Sequence, residues 1–170
     1  TGKYAQAIEL GCEMLQEAGM PIDTAPSRSL VGRETAAAKQ LLLRRFDELQ
    51  HLPEAKDPKF VLMMEIMAAL VGPTFFSNRE VFELMSSLFL RAVFEHGTTP
   101  IAAAVYASYG MVLCTSMNDF ITGYRLGTVA MEEAERSGQA SLKSKVYAMF
   151  HCVISPWMGY APEDERKLGD

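Results

Sequence analysis

The sequence contains few of the residues that usually mark a reactive site. Its 170 residues include three cysteines, three histidines and one tryptophan. The cysteines, Cys12, Cys114 and Cys152, are scattered through apolar helical runs, and their number is odd. We therefore expect buried free thiols, which is the state of cysteine in a reducing, cytoplasmic environment.

Patterns that bind metals, phosphates or substrates are also missing from the sequence. His151 and Cys152 are adjacent and point to different sides of a helix, whereas metal ligands on one helix are three or four residues apart. Segment 32–35 lacks the spaced glycines and the lysine of a phosphate-binding loop. No Ser-His-Asp or Cys-His arrangement can be assembled from the spacing. We expect no catalytic residue, no metal site and no cofactor in this chain.

An excess of positive charge is absent as well. The 16 basic and 21 acidic residues give a formal net charge of −5. Nonspecific binding of nucleic acid needs a basic face on the protein. The composition therefore argues against nucleic acid as a partner.

The segment that most resembles a membrane-spanning helix is not strongly apolar along its whole length. The run from Thr99 to Met117 carries no charge, but Ser108, Gly110 and Thr115 dilute it and it has no basic flank. A helix that is apolar all round and does not span a membrane is buried in protein. We predict a buried central helix here and no membrane insertion.

Helical periodicity is the main pattern that the sequence does contain. Apolar residues recur at three- and four-residue steps through about seven segments, without strand-like alternation. A second helix, predicted over residues 120–136, follows the helix 99–117 after only Asn118 and Asp119. So short a link makes the two helices antiparallel neighbours, and one of the two link residues caps the second helix. The sequence predicts an all-α fold of antiparallel helical hairpins.

Small residues lie on one face of the second helix of this hairpin. Gly123, Gly127 and Ala130 are spaced by four and three residues, so another helix can approach closely there. Gly138 can adopt the left-handed conformation that ends a helix.

The first helix of the chain repeats this spacing. The residues at equal offsets are Tyr4, Ala7, Gly11 and Met14 in the first helix and Phe120, Gly123, Gly127 and Ala130 in the later one. An aromatic residue followed by small residues at these offsets resembles the second helix of a tetratricopeptide repeat. The resemblance implies a tetratricopeptide-like superhelical stack of about seven helices.

The third predicted helix begins at Asp57-Pro58 and is expected to stop at Gly72-Pro73, because proline ends helices. We predict that 74–78 is a linker whose Phe75-Phe76 pair inserts into the core. Ser77 and Glu80 have the spacing of a capping box for the next helix.

The domain organisation predicted from the pattern is simple. Residues 1–157 form one helical repeat-like domain, and residues 158–170 are a charged tail or linker. The chain starts without methionine and inside a helical pattern, so we expect a piece of a longer protein.

Several segments, taken in order, resemble the helical region of bacterial multidomain signalling kinases that contain an AAA-like ATPase. The segments are Leu52-Pro53-Glu54 with Asp57-Pro58, Phe75-Phe76-Ser77-Asn78 with Glu80, Ala104 to Cys114, and Asn118-Asp119-Phe120 with Gly123 to Gly127. In that family this region is tetratricopeptide-like, and it occurs with serine/threonine kinase, GAF and histidine-kinase modules. The resemblance implies a non-catalytic regulatory module, because the catalytic residues of the family lie in other domains.

The resemblance also implies a protein partner or a neighbouring domain of the same chain. On a repeat-like alignment, the groove side of the helix 99–117 presents Val105, Ser108, Val112 and Thr115. Simple burial of this strip is the competing interpretation, because the helix carries no charge. The alternative function is a helical small-molecule sensor, or an unrecognised all-α enzyme, and the sequence does not identify a ligand. An exposed apolar edge would favour the first function, and a cavity with convergent polar groups would favour the second.

Overall fold

A computed structural model describes residues 2–160 of the chain, without the side chain of Tyr160. Seven α-helices account for most of these residues. They are α1 (Gly2–Glu17), α2 (Arg28–Arg45), α3 (Pro58–Ser77), α4 (Arg79–His96), α5 (Ala102–Ser116), α6 (Phe120–Ser137) and α7 (Ala140–Met149). Short 3₁₀ helices cover Phe46–His51 and Ser155–Tyr160, and a π-helical turn covers Phe150–Ile154. Residues 2–160 contain no strand, so the all-α prediction is confirmed.

The chain forms two compact units, Thr1–Thr99 and Pro100–Asp170. The predicted single domain over residues 1–157 stays a prediction, as does the superhelical stack. Most of the predicted tail, residues 161–170, lies outside the described residues, whereas residues 158–160 belong to the last 3₁₀ helix.

The first unit is built on an antiparallel hairpin of α3 and α4, which only Asn78 separates. Helix α1 packs on α3, and α2 packs on α4. The Arg91 guanidinium donates to the Glu34 carboxylate across the α2–α4 contact, at 2.6 Å. The helices of this unit therefore follow one another in space in the order α1, α3, α4, α2.

Helix α3 does not stop at Pro73, so that prediction is wrong. Proline removes one backbone donor, but α3 continues to Ser77, and Leu70 and Thr74 on either side of Pro73 are buried. Packing of the buried side of α3 therefore outweighs the missing hydrogen bond. The predicted linker 74–78 is also wrong, because its first four residues belong to α3.

The residue that caps α4 also differs from the predicted one, because α3 continues past Pro73. Since Ser77 is still helical, Asn78 takes the capping position, and its side chain accepts a hydrogen bond from the Val81 N–H at 3.2 Å. Asparagine is as good a cap as serine. The predicted capping box of Ser77 and Glu80 is therefore not formed.

The two adjacent phenylalanines at the end of α3 do not share one environment. Phe75 is half-buried and meets the buried Phe82 edge to face, with ring centroids 5.3 Å apart. The Phe76 side chain is 74% exposed. Neighbouring residues of a helix point about 100° apart, so the two rings face different surroundings at the end of α3. The predicted insertion into the core is therefore wrong for Phe76.

The second unit is built on the predicted antiparallel hairpin, here α5 and α6. The Asp119 carboxylate accepts a hydrogen bond from the Thr122 N–H at 3.1 Å and caps α6. Gly138 ends α6 in the left-handed conformation, with φ of 66°. Every residue of α5 from Ala102 to Cys114 is buried, which confirms the predicted buried helix.

Helices α5 and α6 approach each other closely because glycines line their contact. A Cβ on Gly123 would lie 2.9 Å from the Gly110 carbonyl oxygen and 2.5 Å from the Cys114 sulfur. On the same face of α6, a Cβ on Gly127 would lie 2.7 Å from the Phe150 ring. The predicted small-residue face is therefore confirmed.

Replacing Gly127 with leucine tests this packing. We expect Gly127→Leu to lower the free energy of unfolding by about 1–3 kcal/mol, because the new side chain overpacks the contact with Phe150. The matched control is Gly32→Leu, since a Cβ at this exposed position of α2 meets nothing within 4 Å. The control should gain up to about 1 kcal/mol from helix propensity. Urea unfolding measures both, and equal effects would contradict the close contact.

Candidate functional site

The predicted partner-facing strip lies inside the protein for most of its length. Val105, Ser108 and Val112 have no exposed surface, and Thr115 is half-buried. The Ser108 hydroxyl donates to the Ala104 carbonyl at 2.6 Å, and the Thr115 hydroxyl to the Met111 carbonyl at 2.8 Å. A partner could contact this strip only if the helices packed on α5 separated. Its binding role stays a prediction, and an accessible surface has to be sought elsewhere.

Exposed apolar surface is concentrated on α1 and α3. The large apolar side chains that the described residues expose are Tyr4, Leu10 and Met14 on α1, Leu62 and Phe76 on α3, and Leu43 on α2. Five of these six therefore belong to two helices that pack on each other. Contiguous exposed apolar surface marks sites of interaction, whereas a single residue such as Leu43 needs no explanation.

Helix α3 carries two apolar stripes. The buried stripe consists of Phe60, Met63, Met67, Leu70 and Thr74, and Met64 is buried beside it. The second stripe consists of Leu62, Ile66, Ala69, Pro73 and Phe76, of which Ile66 and Pro73 are half-buried and the others exposed. Both follow the alternating three- and four-residue steps of a heptad repeat, in which one helix face packs against another helix. Within the described residues, only the first stripe is covered.

The length and composition of α3 would also allow it to cross a membrane, and a core helix of a globular protein passes the same test. The two stripes account for this composition, because together they make α3 apolar on most of its circumference. From the sequence, the segment most like a membrane span is 99–117. This segment contains α5, which is shorter than α3.

Helix α1 has the same two-sided character. Ile8, Gly11 and Leu15 are buried, whereas Leu10 and Met14 are exposed and Ala7 is half-buried. A Cβ on Gly11 would lie 2.7 Å from the Leu70 side chain, and a Cβ on Gly19 would lie 3.9 Å from the Lys59 ammonium. Helices α1 and α3 are therefore antiparallel neighbours in close contact.

This register brings the outward stripes of α1 and α3 to one side. Rotation of about 100° per residue places Ala7, Leu10 and Met14 on the flank of Gly11 that faces away from the core. The same rotation places the second stripe of α3 on the corresponding flank of Leu70. We call the combined surface the outer face, and its residues are Ala7, Leu10, Met14, Leu62, Ile66, Ala69, Pro73 and Phe76. Its two stripes lie side by side on adjacent helices, and we call the line between them the groove.

Carboxylates border the outer face along both long edges. Glu13 precedes Met14 on α1, and Glu65 precedes Ile66 on α3, and both side chains are exposed. Neither forms an ion pair with a described residue. Lys3 and Lys59 lie towards opposite ends of the face. Each long edge of the groove therefore carries one exposed carboxylate that is available to a partner. The exposed Lys3, Glu17 and Lys59 continue the two stripes at the ends of the face.

A cleft of about 330 Å³ lies at the C-terminal ends of α2 and α4. The Arg45 guanidinium donates to the Glu48 carboxylate at 2.6 and 2.9 Å, which lowers the pKa of Glu48, and it lies 4.9 Å from the centre of the Phe94 ring. The His96 ring contacts Phe60, with centroids 4.8 Å apart. These side chains satisfy one another, so a ligand would have to displace the Arg45–Glu48 pair. Groups of three or more His, Cys, Asp or Glu side chains that could hold a metal ion do not occur among residues 2–160.

The three cysteines do not share the predicted burial. Cys12 and Cys114 are buried, but Cys152 is exposed, so the prediction is wrong for that thiol. Val146, Phe150 and Ile154 form the buried side of the segment, and Cys152 lies off that side. Burial, together with the nearby Asp119 charge, raises the pKa of Cys114 to about 12. Burial also raises the pKa of Tyr109.

Comparisons with known proteins give no family assignment. No protein-family model matches the chain, and neither curated proteins nor solved structures show a significant match to it. The function must therefore be argued from the surfaces described above.

The raised pKa of Cys114 predicts how stability depends on pH. The folded state holds this thiol protonated, so its contribution is complete below the ordinary pKa of 9.0 and is lost between pH 9.0 and about 12. We expect the free energy of unfolding to fall across this range, by at most about 1.4 kcal/mol per pH unit for one group. Cys114→Ala should flatten the decline. Urea unfolding under reducing conditions at several pH values measures this, and an unaltered slope in Cys114→Ala would refute it.

Proposed function

We propose that this chain is a non-catalytic regulatory module that binds a protein or a neighbouring domain, as part of a bacterial multidomain signalling kinase in the cytoplasm. The observation that carries the proposal is the outer face of α1 and α3. The face is contiguous, apolar and exposed, which is the property expected of a protein-interaction surface.

The outer face is also suited to binding because it is preformed. Its side chains project from two helices that are held together by the Gly11–Leu70 contact. Phe76 meets Phe75 edge to face, with centroids 5.1 Å apart, and Phe75 rests on the buried Phe82. Few side chains then lose conformational freedom on binding, so more of the free energy gained by burying apolar surface contributes to the affinity. Full burial of one large apolar side chain is worth about 1.5–3 kcal/mol.

The kinase context rests on the ordered series of segments described above. Individually, several residues of that series have structural roles: Asp57, Asn78 and Asp119 cap α3, α4 and α6. Their support for the proposal therefore comes from their order along the chain and not from any single residue.

A small-molecule sensor is the second candidate, and the cleft beside Arg45 favours it. Its volume of about 330 Å³ lies at the lower end of the usual range for ligand pockets, and it combines an aromatic wall with charged side chains. Calorimetry with small molecules distinguishes the two candidate functions. Arg45→Ala should abolish the binding of a small molecule in the cleft and should leave the outer face able to bind a protein.

The isolated chain should neither bind nor hydrolyse ATP. It lacks the glycine-rich loop and the lysine that hold phosphates in nucleotide-binding domains. Calorimetry at micromolar protein should therefore show no saturable binding. Saturable binding of ATP would contradict a purely non-catalytic module.

Substitutions on the outer face test the proposed function in the full-length gene product. We expect Leu10→Ser with Phe76→Ser to abolish the response of the kinase to its signal, because the face loses its two most exposed apolar side chains. Stability should change little, since exposed substitutions usually matter by less than about 0.5 kcal/mol. The matched control is Leu43→Ser, whose side chain is 55% exposed on α2. A normal response in the double variant, or an equal loss in the control, would refute the proposal.

A further inference from the structure

We propose that the outer face binds an amphipathic α-helix whose apolar stripe is flanked on both sides by lysine or arginine. This inference rests on the proposed function and names the chemistry of the partner. It follows from the spacing of the apolar residues and from the position of the charges beside them.

The spacing of the outer face fits a helix. Leu62, Ile66, Ala69, Pro73 and Phe76 alternate in steps of four and three, and Ala7, Leu10 and Met14 do so on α1. These are the positions that interlock with the side chains of another helix in a bundle. A helix laid along the groove would place its own apolar residues between the two stripes. The described residues contain no strand, so they provide no sheet edge for an extended peptide.

The charges at the edges of the groove select the partner. In heptad terms, Gly11 and Leu70 occupy the flanking positions at which α1 and α3 meet. Glu13 and Glu65 occupy the other flanking positions, on the outer edges. A third helix in the groove would bring its flanking residues against these two carboxylates. Basic residues there would be attracted and acidic residues repelled, which is how flanking charges set partner choice in coiled coils.

The same charges disfavour two other occupants. A second copy of the chain would present its own Glu13 and Glu65 at the edges of the same apolar surface, so like charges would oppose a symmetric contact. An anionic lipid surface would be repelled by these two carboxylates and by the formal net charge of −5. A helix with basic flanks satisfies both the apolar stripe and its edges.

Two labelled peptides test the inference on the whole chain. Both are helical 18-residue probes with the same leucine stripe, one with lysine and the other with glutamate at the flanking positions. By fluorescence anisotropy, we expect saturable binding of the basic probe at least about tenfold tighter than of the acidic probe. The preference should shrink in high salt, because the facing charges are exposed and screened.

Matched variants separate the contributions of the stripe and the edges. Glu13→Gln with Glu65→Gln should remove most of the preference, whereas Glu54→Gln with Glu95→Gln, which deletes two exposed charges outside α1 and α3, should keep it. Leu10→Ser with Phe76→Ser should abolish binding of both probes, and Leu43→Ser should retain it. Circular dichroism and thermal unfolding confirm that each variant is folded.

The outcomes distinguish this inference from the proposed function. Equal affinity for the two probes, or no binding of either, overturns the inference, and the proposed function still stands if Leu10→Ser with Phe76→Ser abolishes the kinase response. Sedimentation that shows a dimer dissolved by this double variant assigns the face to self-association and also overturns the inference. So does binding to phosphatidylserine vesicles that the double variant loses. Binding of the basic probe with a normal kinase response in the double variant supports the inference and refutes the proposed function.

Discussion

The contact of Gly11 with Leu70 determines what the first unit exposes. The Leu70 side chain occupies the space that a Cβ at position 11 would need, since the distance would be only 2.7 Å. A larger residue would push α1 away from α3 or rotate it. Because side chains on a helix keep fixed angles to one another, either movement would also change the position of Leu10 and Met14. The outer face therefore depends on the absence of a side chain at Gly11, although Gly11 is not part of that face.

The two helices with the most apolar composition are accommodated in different ways. Helix α5 is apolar all round and buried from Ala102 to Cys114. Helix α3 is apolar on two stripes, but only the stripe with Phe60, Met63 and Met67 is buried. The exposed surface of Phe76 and Leu62 contributes no burial energy to the folded chain and adds to the risk of aggregation. A surface of this kind is consistent with a protein that is normally covered by a partner.

Much of the fold could be predicted because local spacing determines it. The α5–α6 hairpin, the Asp119 cap and the left-handed Gly138 follow from short-range rules for turns and caps. Pro73 shows the limit of such rules: the local preference to end a helix was overridden by tertiary packing that the sequence does not display. Once α3 continued, the positions of Phe76, Ser77 and Asn78 all changed with it.

The candidate site could not be predicted because periodicity alone does not show which stripe is covered. Both stripes of α3 have heptad spacing, but Met63 and Met67 of the first stripe are buried, whereas Leu62 and Phe76 of the second are exposed. The strip with Val105 and Ser108 was the reverse case, since an uncharged groove and a core look alike in sequence. Charge would have been the better guide. Helix α5 has no charged residue at all, whereas the exposed Glu65 flanks the second stripe of α3.

Four buried hydroxyl groups form hydrogen bonds within their own helices. The buried hydroxyls of Thr35, Thr74, Ser87 and Ser108 each donate to the carbonyl four residues earlier in their own helix. These bonds satisfy the hydroxyls within the helices, so the four side chains present no donor to a ligand. The Ser86 hydroxyl of α4 is also buried, and it has no hydrogen-bond partner among the described residues. In the proposed interface, Leu10, Leu62 and Phe76 would supply affinity, and Glu13 and Glu65 would supply discrimination between partners of opposite charge.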